Sequence, residues 1–406
     1  MIKFEEAYKI MMNHSERYVL KCETVDLLKS LNRVLSEDII SDMNMPPFDK
    51  AAMDGYACRK EDIHNELEVI EIVAAGQIPQ KEIGKNEAAK IMTGAMLPKG
   101  ADAIIIVENT QEIAPNRIKN TKIGKNLNIC QVEIDDKPNL NICYVGEDVK
   151  AGEIVLTKGK LIKPEDIAIL ASVGCVHVPV SKQIRVAIIA TGSELVEPHQ
   201  KPSISQIRNS NSVQLVAQLS AMGAIASYIG IADDVEEATQ AIINKAISEN
   251  DVILLTGGVS MGDFDLVPAI VEKTGFEILF HHLAVQPGKP TLLAVKDDKF
   301  LFGLPGNPVS AFTQFELLTK PLIYKMMGHN FEPLPIKMPL AATYLRKKDN
   351  RKSWIPVQIT KNGTVQVVSY HGSAHINALS FAHGLIVIEI GQKEILEGTL
   401  VDVRLY

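Results

Sequence analysis

Cysteine is scarce in this sequence: five residues in 406 (Cys22, Cys58, Cys130, Cys143 and Cys175), none in a Cys-x-x-Cys pair. An odd, scattered set excludes a disulfide framework and a zinc site, and predicts reduced thiols in a cytoplasmic protein. No histidine stands in a recognisable partner pattern with any of them, which argues against a thiol nucleophile. Long apolar runs are also missing. The longest, such as Val186–Ala190 and Ala103–Val107, are far too short to cross a bilayer. Glu5 and Glu6 precede any apolar run, so the N-terminus does not read as a signal peptide. No basic block exceeds Arg346-Lys347-Lys348 and the net charge is −7, whereas a nucleic-acid surface needs a basic face. Neither nucleic acid nor membrane is an expected partner. No internal repeat or low-complexity tract is visible.

What is present is enough apolar side chain, at 46% hydrophobic and 22% charged, to offset chain entropy and exclude global disorder. At 406 residues the chain is too long for one core and predicts two to four domains.

The texture changes along the chain. Residues 3–40 read as helical: Phe4, Ala7, Ile10 and Met11 keep helical spacing, and Val25, Leu27, Leu28, Leu31 and Leu35 follow Thr24. Pro46-Pro47 then forces an extended turn. To about residue 140, short β-rich runs (Leu67–Ala74, Ala103–Glu108, Leu127–Val132) alternate with Gly, Pro and Asn turns, predicting a small β insertion. A helix is expected from Pro164, with Glu165 and Asp166 at its positive end. From 184 to 328, strands Val186–Ala190, Ala226–Ile231 and Val252–Thr256 alternate with helical patterns at 212–222, 235–249 and 266–274. That alternation implies a parallel sheet with helices on both faces. Beyond 328, Trp354–Ile359, Thr364–Val368, Gly384–Ile390 and Thr399–Leu405 read as strands. The fold class is therefore multidomain α/β and β: a helical connector, a β-rich insertion, a parallel-sheet α/β domain and a C-terminal β-barrel-like domain.

In such a sheet, ligands sit beyond the carboxyl ends of the strands. Three glycine-bearing turns fall there: Thr191-Gly192-Ser193-Glu194, the run Thr256–Asp265 with Gly257, Gly258 and Ser260, and Gly303-Leu304-Pro305-Gly306-Asn307-Pro308. Glycine lets backbone N–H groups approach an anion without a Cβ in the way, and a helix N-terminus adds partial positive charge. Ordinary βα turns carry glycine too, so one such turn alone would mean little. Glu194, Asp233, Asp234, Asp263 and Asp265 lie on the same predicted sheet edge. Carboxylates beside a phosphate cradle need a hard cation between them, and Mg²⁺ suits oxygen ligands; Asp234 alone reads better as a helix cap. Lys289, between Pro287 and Pro290, has a constrained backbone suited to binding an anion.

A series of short motifs now stands in one order: Met53-Asp54-Gly55-Tyr56-Ala57, Met92-Thr93-Gly94-Ala95, Gly100-Ala101-Asp102-Ala103, Gly146-Glu147-Asp148, Thr191–Leu195, Thr256–Ser260, Pro287–Pro290 and Gly303–Pro308. From about residue 4 to 406, this resembles the MoeA family of molybdopterin molybdotransferases, which includes the gephyrin and Cnx E domains. The resemblance implies four domains: a connector of 27–45 plus 141–176, a β-rich insertion of 46–140, an α/β molybdopterin-binding domain of 1–26 plus 177–328, and a C-terminal domain of 329–406. It implies a homodimer whose active site combines the α/β domain of one subunit with the β insertion of the other. Asp54, Thr93, Asp148, Glu194 and Asp265 would then be catalytic. Glu194, Asp233 and Asp265 would hold Mg²⁺. Gly257, Gly258, Ser260, Asp233, Lys289, Pro305, Gly306, Asn307, His282, Gln286, Arg351 and Ser373 would bind substrate.

The reaction implied is insertion of molybdate into adenylylated molybdopterin with release of AMP. A separate molybdopterin adenylyltransferase and molybdoenzyme chaperones are the protein partners the resemblance suggests. The chain departs from the family's pattern where cations are expected: His282 and Gln286 replace lysines, and Cys143-Tyr144-Val145 replaces an arginine-rich run. A protonated His282, Arg208 or Arg351 would compensate, and Gln286 would donate a neutral hydrogen bond. Two alternatives stay open, a non-catalytic molybdopterin carrier or scaffold and a tungstate-using variant, because tungstate and molybdate share charge and nearly share shape.

Overall fold

Uncharged β-branched runs become strands covered on both faces, and the side chains of 186–190 are fully buried in the computed structural model. The structure describes every residue except 122–140, 233–235, 259–266 and 370, with backbone alone for 236–238. The expected strand Leu127–Val132 and Cys130 lie outside the described residues. The chain forms two compact units: Met1–Glu37 with Lys158–Ile167 and His177–Tyr406, and Asp38–Thr157 with Ala168–Val176.

In the first unit the elements run α1 (Phe4–Ser15), β1 (Arg185–Thr191), α2 (Ser210–Ala221), β2 (Ile225–Ala232), α3 (Glu236–Glu249), β3 (Val252–Thr256), α4 (Val267–Lys273), β4 (Glu277–His281), β5 (Leu292–Lys296), β6 (Lys299–Leu304) and α5 (Pro308–Gln314). The sheet order is β2-β1-β3-β6-β5-β4. Successive strand residues point to opposite faces. Val186, Ile188, Val252, Leu254, Phe300 and Phe302 pack with Ala7 and Met11 of α1 and Leu215 and Leu219 of α2. Ala187, Ile189, Ile253, Leu255 and Leu301 pack on the other side with Ile243 and Ala246 of α3 and Ile270 and Val271 of α4. Each large side chain buried this way contributes about 1.5–3 kcal/mol.

Two expectations are corrected here. The sheet is mixed: β2, β1, β3 and β6 are parallel, while β5 runs antiparallel to both of its neighbours, β6 and β4. The reason is the connection between β5 and β6, which is only Asp297-Asp298, with Asp297 at φ 54. A parallel crossover needs a dozen residues or more, so this turn can only make a hairpin. The helix expected over 3–40 stops at Ser15, and Cys22–Asp26 is a strand antiparallel to His177–Ser181. Of the leucines that mimicked a helical stripe, Leu28 and Leu31 face water, Leu28 at 80% exposure, while Leu35 is buried. The β-branched Thr24 and Val25 pair with a strand that is remote in sequence, and that tertiary contact overrides the local pattern.

Beyond 328 the chain is antiparallel: Lys352–Ile359, Gly384–Ile388, Leu400–Leu405 and Ile336–Pro339 follow one another in one sheet. Val285–Gln286 joins its edge through the register Val285↔Lys352. That short graft sets Gln286 next to the segment that carries Arg351.

The second unit is built on a six-stranded sheet in the order Ala103–Ile106, Gly55–Cys58, Glu87–Ile91, Glu66–Val73, Arg117–Asn120, Thr110–Ala114. It buries Ala57, Ile91 and Ile104 in one cluster and Tyr56, Cys58 and Ile105 in another. The helix expected at Pro164 runs Pro164–Ser172, where Asp166 Oδ2 accepts from Lys163 N at 2.9 Å. Among the described residues, no helix is long and apolar enough to cross a membrane.

Candidate functional site

β1, β3 and β6 lie side by side and parallel, so the turns that leave them open on one sheet edge. A cavity of about 760 Å³ occupies that edge, a size typical of small-molecule sites. It is lined by all three turns, the start of α2, the segment Gln286–Pro290, Arg351 and Gly372–Ala374.

The turns are packed against one another at backbone distance. Gly257 has φ +95, and a Cβ there would sit 2.3 Å from the Thr191 carbonyl oxygen. Gly258 lies over Thr191 Oγ1, which is buried and has no hydrogen-bond partner among the described residues. Gly192 has φ +140, and a Cβ there would meet the Glu194 carboxylate at 2.5 Å. No other side chain passes at these positions.

Two asparagines tie the rim. Asn211 Nδ2, in the first turn of α2, donates to Thr256 Oγ1 at 2.9 Å and to the Gly306 carbonyl at 2.8 Å. Asn307 Nδ2 donates to Ser373 Oγ at 2.9 Å, while Val309 N donates to the Ser373 carbonyl at 3.0 Å. Asn209 caps α2 by accepting from Ser212 N, and its amide donates to Tyr228 Oη at 2.9 Å. Burial, then the hydrogen bond to Glu197, pushes that phenol up to about 12, so it stays protonated.

Among the described lining residues, the cations Arg208, Lys289 and Arg351 accompany one carboxylate, Glu194. Arg351 Nη1 donates to the Val285 carbonyl at 3.3 Å, and Arg208 Nε to the Gln200 carbonyl at 3.0 Å. The balance suits an anion with more than one charge.

Of the residues singled out in the sequence, the cavity gathers Glu194, Gly257, Gly258, Gln286, Lys289, Pro305, Gly306, Asn307, Arg351 and Ser373. Ser260, Asp233 and Asp265, with Asp234 and Asp263, lie outside the described residues. His282 does not line the cavity. Its backbone is left-handed (φ 79) and its ring lies tilted against that of His281, centroids 3.9 Å apart. Burial, then His281 and Lys289, lower its pKa, so the protonated form expected to compensate for a lysine is disfavoured. Asp54, Thr93 and Asp148 belong to the second unit. There Thr93 N and Oγ1 both donate to Asp54 Oδ1 at 2.6 Å, which holds that exposed carboxyl below its usual range. Asp148 is exposed on a turn, with its N–H bonded to the Met45 carbonyl at 3.0 Å.

No group of three or more His, Cys, Asp or Glu side chains gathers to hold a metal among the described residues. The oxygens that are described, the Glu194 carboxylate and the unpartnered Thr191 hydroxyl in the same cavity, have the hard-donor chemistry a divalent cation requires. Sequence reasoning passed over Asn211 and Thr191 as site residues. An asparagine opening a helix just after a strand-like Ile-Arg pair was the available signal for the first.

Three family descriptions match the chain in order: the MoeA N-terminal region (domains I and II) over 2–174, a probable molybdopterin binding domain over 187–325, and the MoeA C-terminal region (domain IV) over 340–406. The molybdopterin molybdenumtransferase of Staphylococcus epidermidis is 37% identical, covering 100% of this chain and 95% of the relative. That of Staphylococcus aureus is 35% identical with the same coverage. The solved structure of the molybdopterin biosynthesis moeA protein of Pyrococcus horikoshii superposes with a TM-score of 0.81 at 30% identity, covering 100% of both chains.

Proposed function

The chain belongs to the MoeA family and is a transferase of molybdenum cofactor biosynthesis, and we propose that it inserts molybdate into adenylylated molybdopterin with release of AMP. The observation that carries this reading is the cavity itself, in which Arg208, Lys289 and Arg351 accompany Glu194 at the ends of three parallel strands. An adenylylated pterin phosphate and molybdate are both anions with more than one charge, and fixed cations in a partly enclosed cavity hold such groups better than water does.

In this reading Gly257, Gly258, Ser260 and the run Pro305–Asn307 cradle the pterin phosphate. Lys289, Arg351, Gln286 and Ser373 hold molybdate. Glu194, with Asp233 and Asp265, would hold Mg²⁺. A bound Mg²⁺ would neutralise the charge that develops on the phosphate oxygens as AMP leaves. Asp54 and Thr93 of the partner subunit, with Asp148, complete the site in a homodimer. The hydrogen bonds from Thr93 favour the ionised form of Asp54, which would orient a proton. The donation from Gln286 stands where a family lysine would, and Arg351 supplies the charge it lacks.

The test is molybdate-dependent AMP release from adenylylated molybdopterin by the purified protein with Mg²⁺. AMP appearing together with molybdenum cofactor is the expected result. Release driven by tungstate alone would assign the other oxyanion. Tight pterin binding without AMP release at any molybdate or tungstate concentration would refute the transferase chemistry and leave a carrier.

A further inference from the structure

The three cations of the cavity are delivered by different parts of the chain. Lys289 and Arg351 belong to segments joined by the register Val285↔Lys352. Arg208 stands apart from them in sequence, on the two-residue strand Ile207–Arg208 that pairs in parallel with Leu195–Val196. That ribbon starts at Glu194, whose carbonyl accepts from Ile207 N at 2.8 Å, and it ends at Asn209, the cap of α2. Arg208 is therefore carried between the cavity's one described carboxylate and the positive end of a helix. Its Nε is fixed on the Gln200 carbonyl at 3.0 Å. Among the described residues, no acid forms an ion pair with it. A guanidinium anchored through Nε presents its two terminal nitrogens as a planar fork, which matches two oxygens of a phosphate.

Resting on the transferase reading, we propose that Arg208 binds the phosphate of the nucleotide half of the substrate, while Lys289 and Arg351 take the oxyanion. The neighbouring carboxylate decides between the two anions. Glu194 repels any anion unless a cation lies between them, and in this reading Glu194 would help hold a divalent cation, which would supply charge neutralisation to a phosphoanhydride. A phosphate is thus the anion drawn to the Glu194 side, and Arg208 neutralises the charge that the metal leaves over. The α2 N-terminus, with Ser210 and Asn211 lining the same cavity, adds partial positive charge there.

The experiment titrates the full-length wild type, Arg208→Gln and Arg208→Lys with AMP by calorimetry, and measures the molybdate concentration that half-saturates AMP release. Losing a charge-assisted bidentate contact should weaken AMP binding by roughly ten- to a hundredfold in R208Q. R208K, which keeps the charge without the fork, should recover part of it, and the molybdate requirement should stay within about twofold. Equal AMP affinity in wild type and R208Q overturns the assignment, as does a wild type that binds no AMP or a change confined to the molybdate requirement. Arg208 is exposed and makes one side-chain hydrogen bond, so R208Q should fold; if it does not, R208K carries the comparison. Failure of the transferase reading registers separately, as wild-type protein that releases no AMP from the adenylylated pterin. AMP binding that still depends on Arg208 would leave the phosphate assignment standing in that case.

Discussion

Asn211→Asp replaces one atom at the centre of the cavity rim. The side chain is 9% exposed, and its Nδ2 gives both protons away, to Thr256 Oγ1 at 2.9 Å and to the Gly306 carbonyl at 2.8 Å. A carboxylate has nothing to donate. The Thr256 hydroxyl can rotate and become the donor, so that contact recovers, but a carbonyl cannot. The Gly306 oxygen then loses its bond, worth about 0.5–1.5 kcal/mol, and the new carboxylate, at a largely buried position, is desolvated facing two acceptors for about 1–3 kcal/mol more. The expected destabilisation is about 2–4 kcal/mol, read as a lower urea midpoint for the first unit. Asn211→Ala, which removes the bonds without adding charge, should lose about 1–2 kcal/mol less. The pH dependence has a definite sign. A carboxyl facing two acceptors has a raised folded-state pKa, so its protonated form, which can donate again, is the stabilised one. The deficit of N211D therefore shrinks as pH falls toward the carboxylate range and is full at neutral pH. AMP release should fall with it, because Thr256 leads into Gly257 and Gly306 belongs to the cavity wall. A variant as stable as wild type at neutral pH would show that the amide does not tie these loops, and the account of the rim would be wrong.

Other perturbations bear on separate parts of the site. Thr93→Ala removes the hydroxyl that does most to hold the Asp54 carboxyl low. If ionised Asp54 is needed, the acid limb of the AMP-release profile should move up in pH in T93A, and a limb that stays in place would remove Asp54 from the reaction. Gln286 lines the cavity and His282 does not. Gln286→Lys should therefore lower the molybdate concentration for half-maximal activity by roughly tenfold, while His282→Lys should change it less than twofold; the opposite ranking would mean that the oxyanion lies elsewhere. Burial pushes the Cys58 thiol up to about 12, whereas Cys22 is exposed. A chromogenic disulfide reagent should label Cys22 in the native protein and Cys58 only after denaturation. Equal labelling rates would contradict the packing of the second unit's sheet.

The α/β layer was legible because its strands are uninterrupted apolar runs closed by punctuation: Val252–Thr256 is bounded by Asp251 and Gly257 and appears with those limits. Elements whose partners are remote in sequence were not. Cys22–Asp26 has an unremarkable composition, and only His177–Ser181 makes it a strand. Val285–Gln286 is two residues long and exists because Lys352–Ser353 lies beside it. At the site, the glycines were visible, and the structure adds a steric reason for them beside the approach to an anion: Gly257 clears space for the Thr191 carbonyl, Gly192 for the Glu194 carboxylate, and Gly288 for the Gln314 side chain, which a Cβ would meet at 2.4 Å. The glycine pattern thus records where chain segments must converge, which is a fixed property of the backbone and leaves a fixed spacing in the sequence. Charge carries no such constraint, because a long side chain from any element that reaches the cavity can supply it. Arg208, Lys289 and Arg351 come from a ribbon, a loop and a strand edge with no common spacing. Positive charge can therefore surround the cavity without leaving a fixed spacing in the sequence.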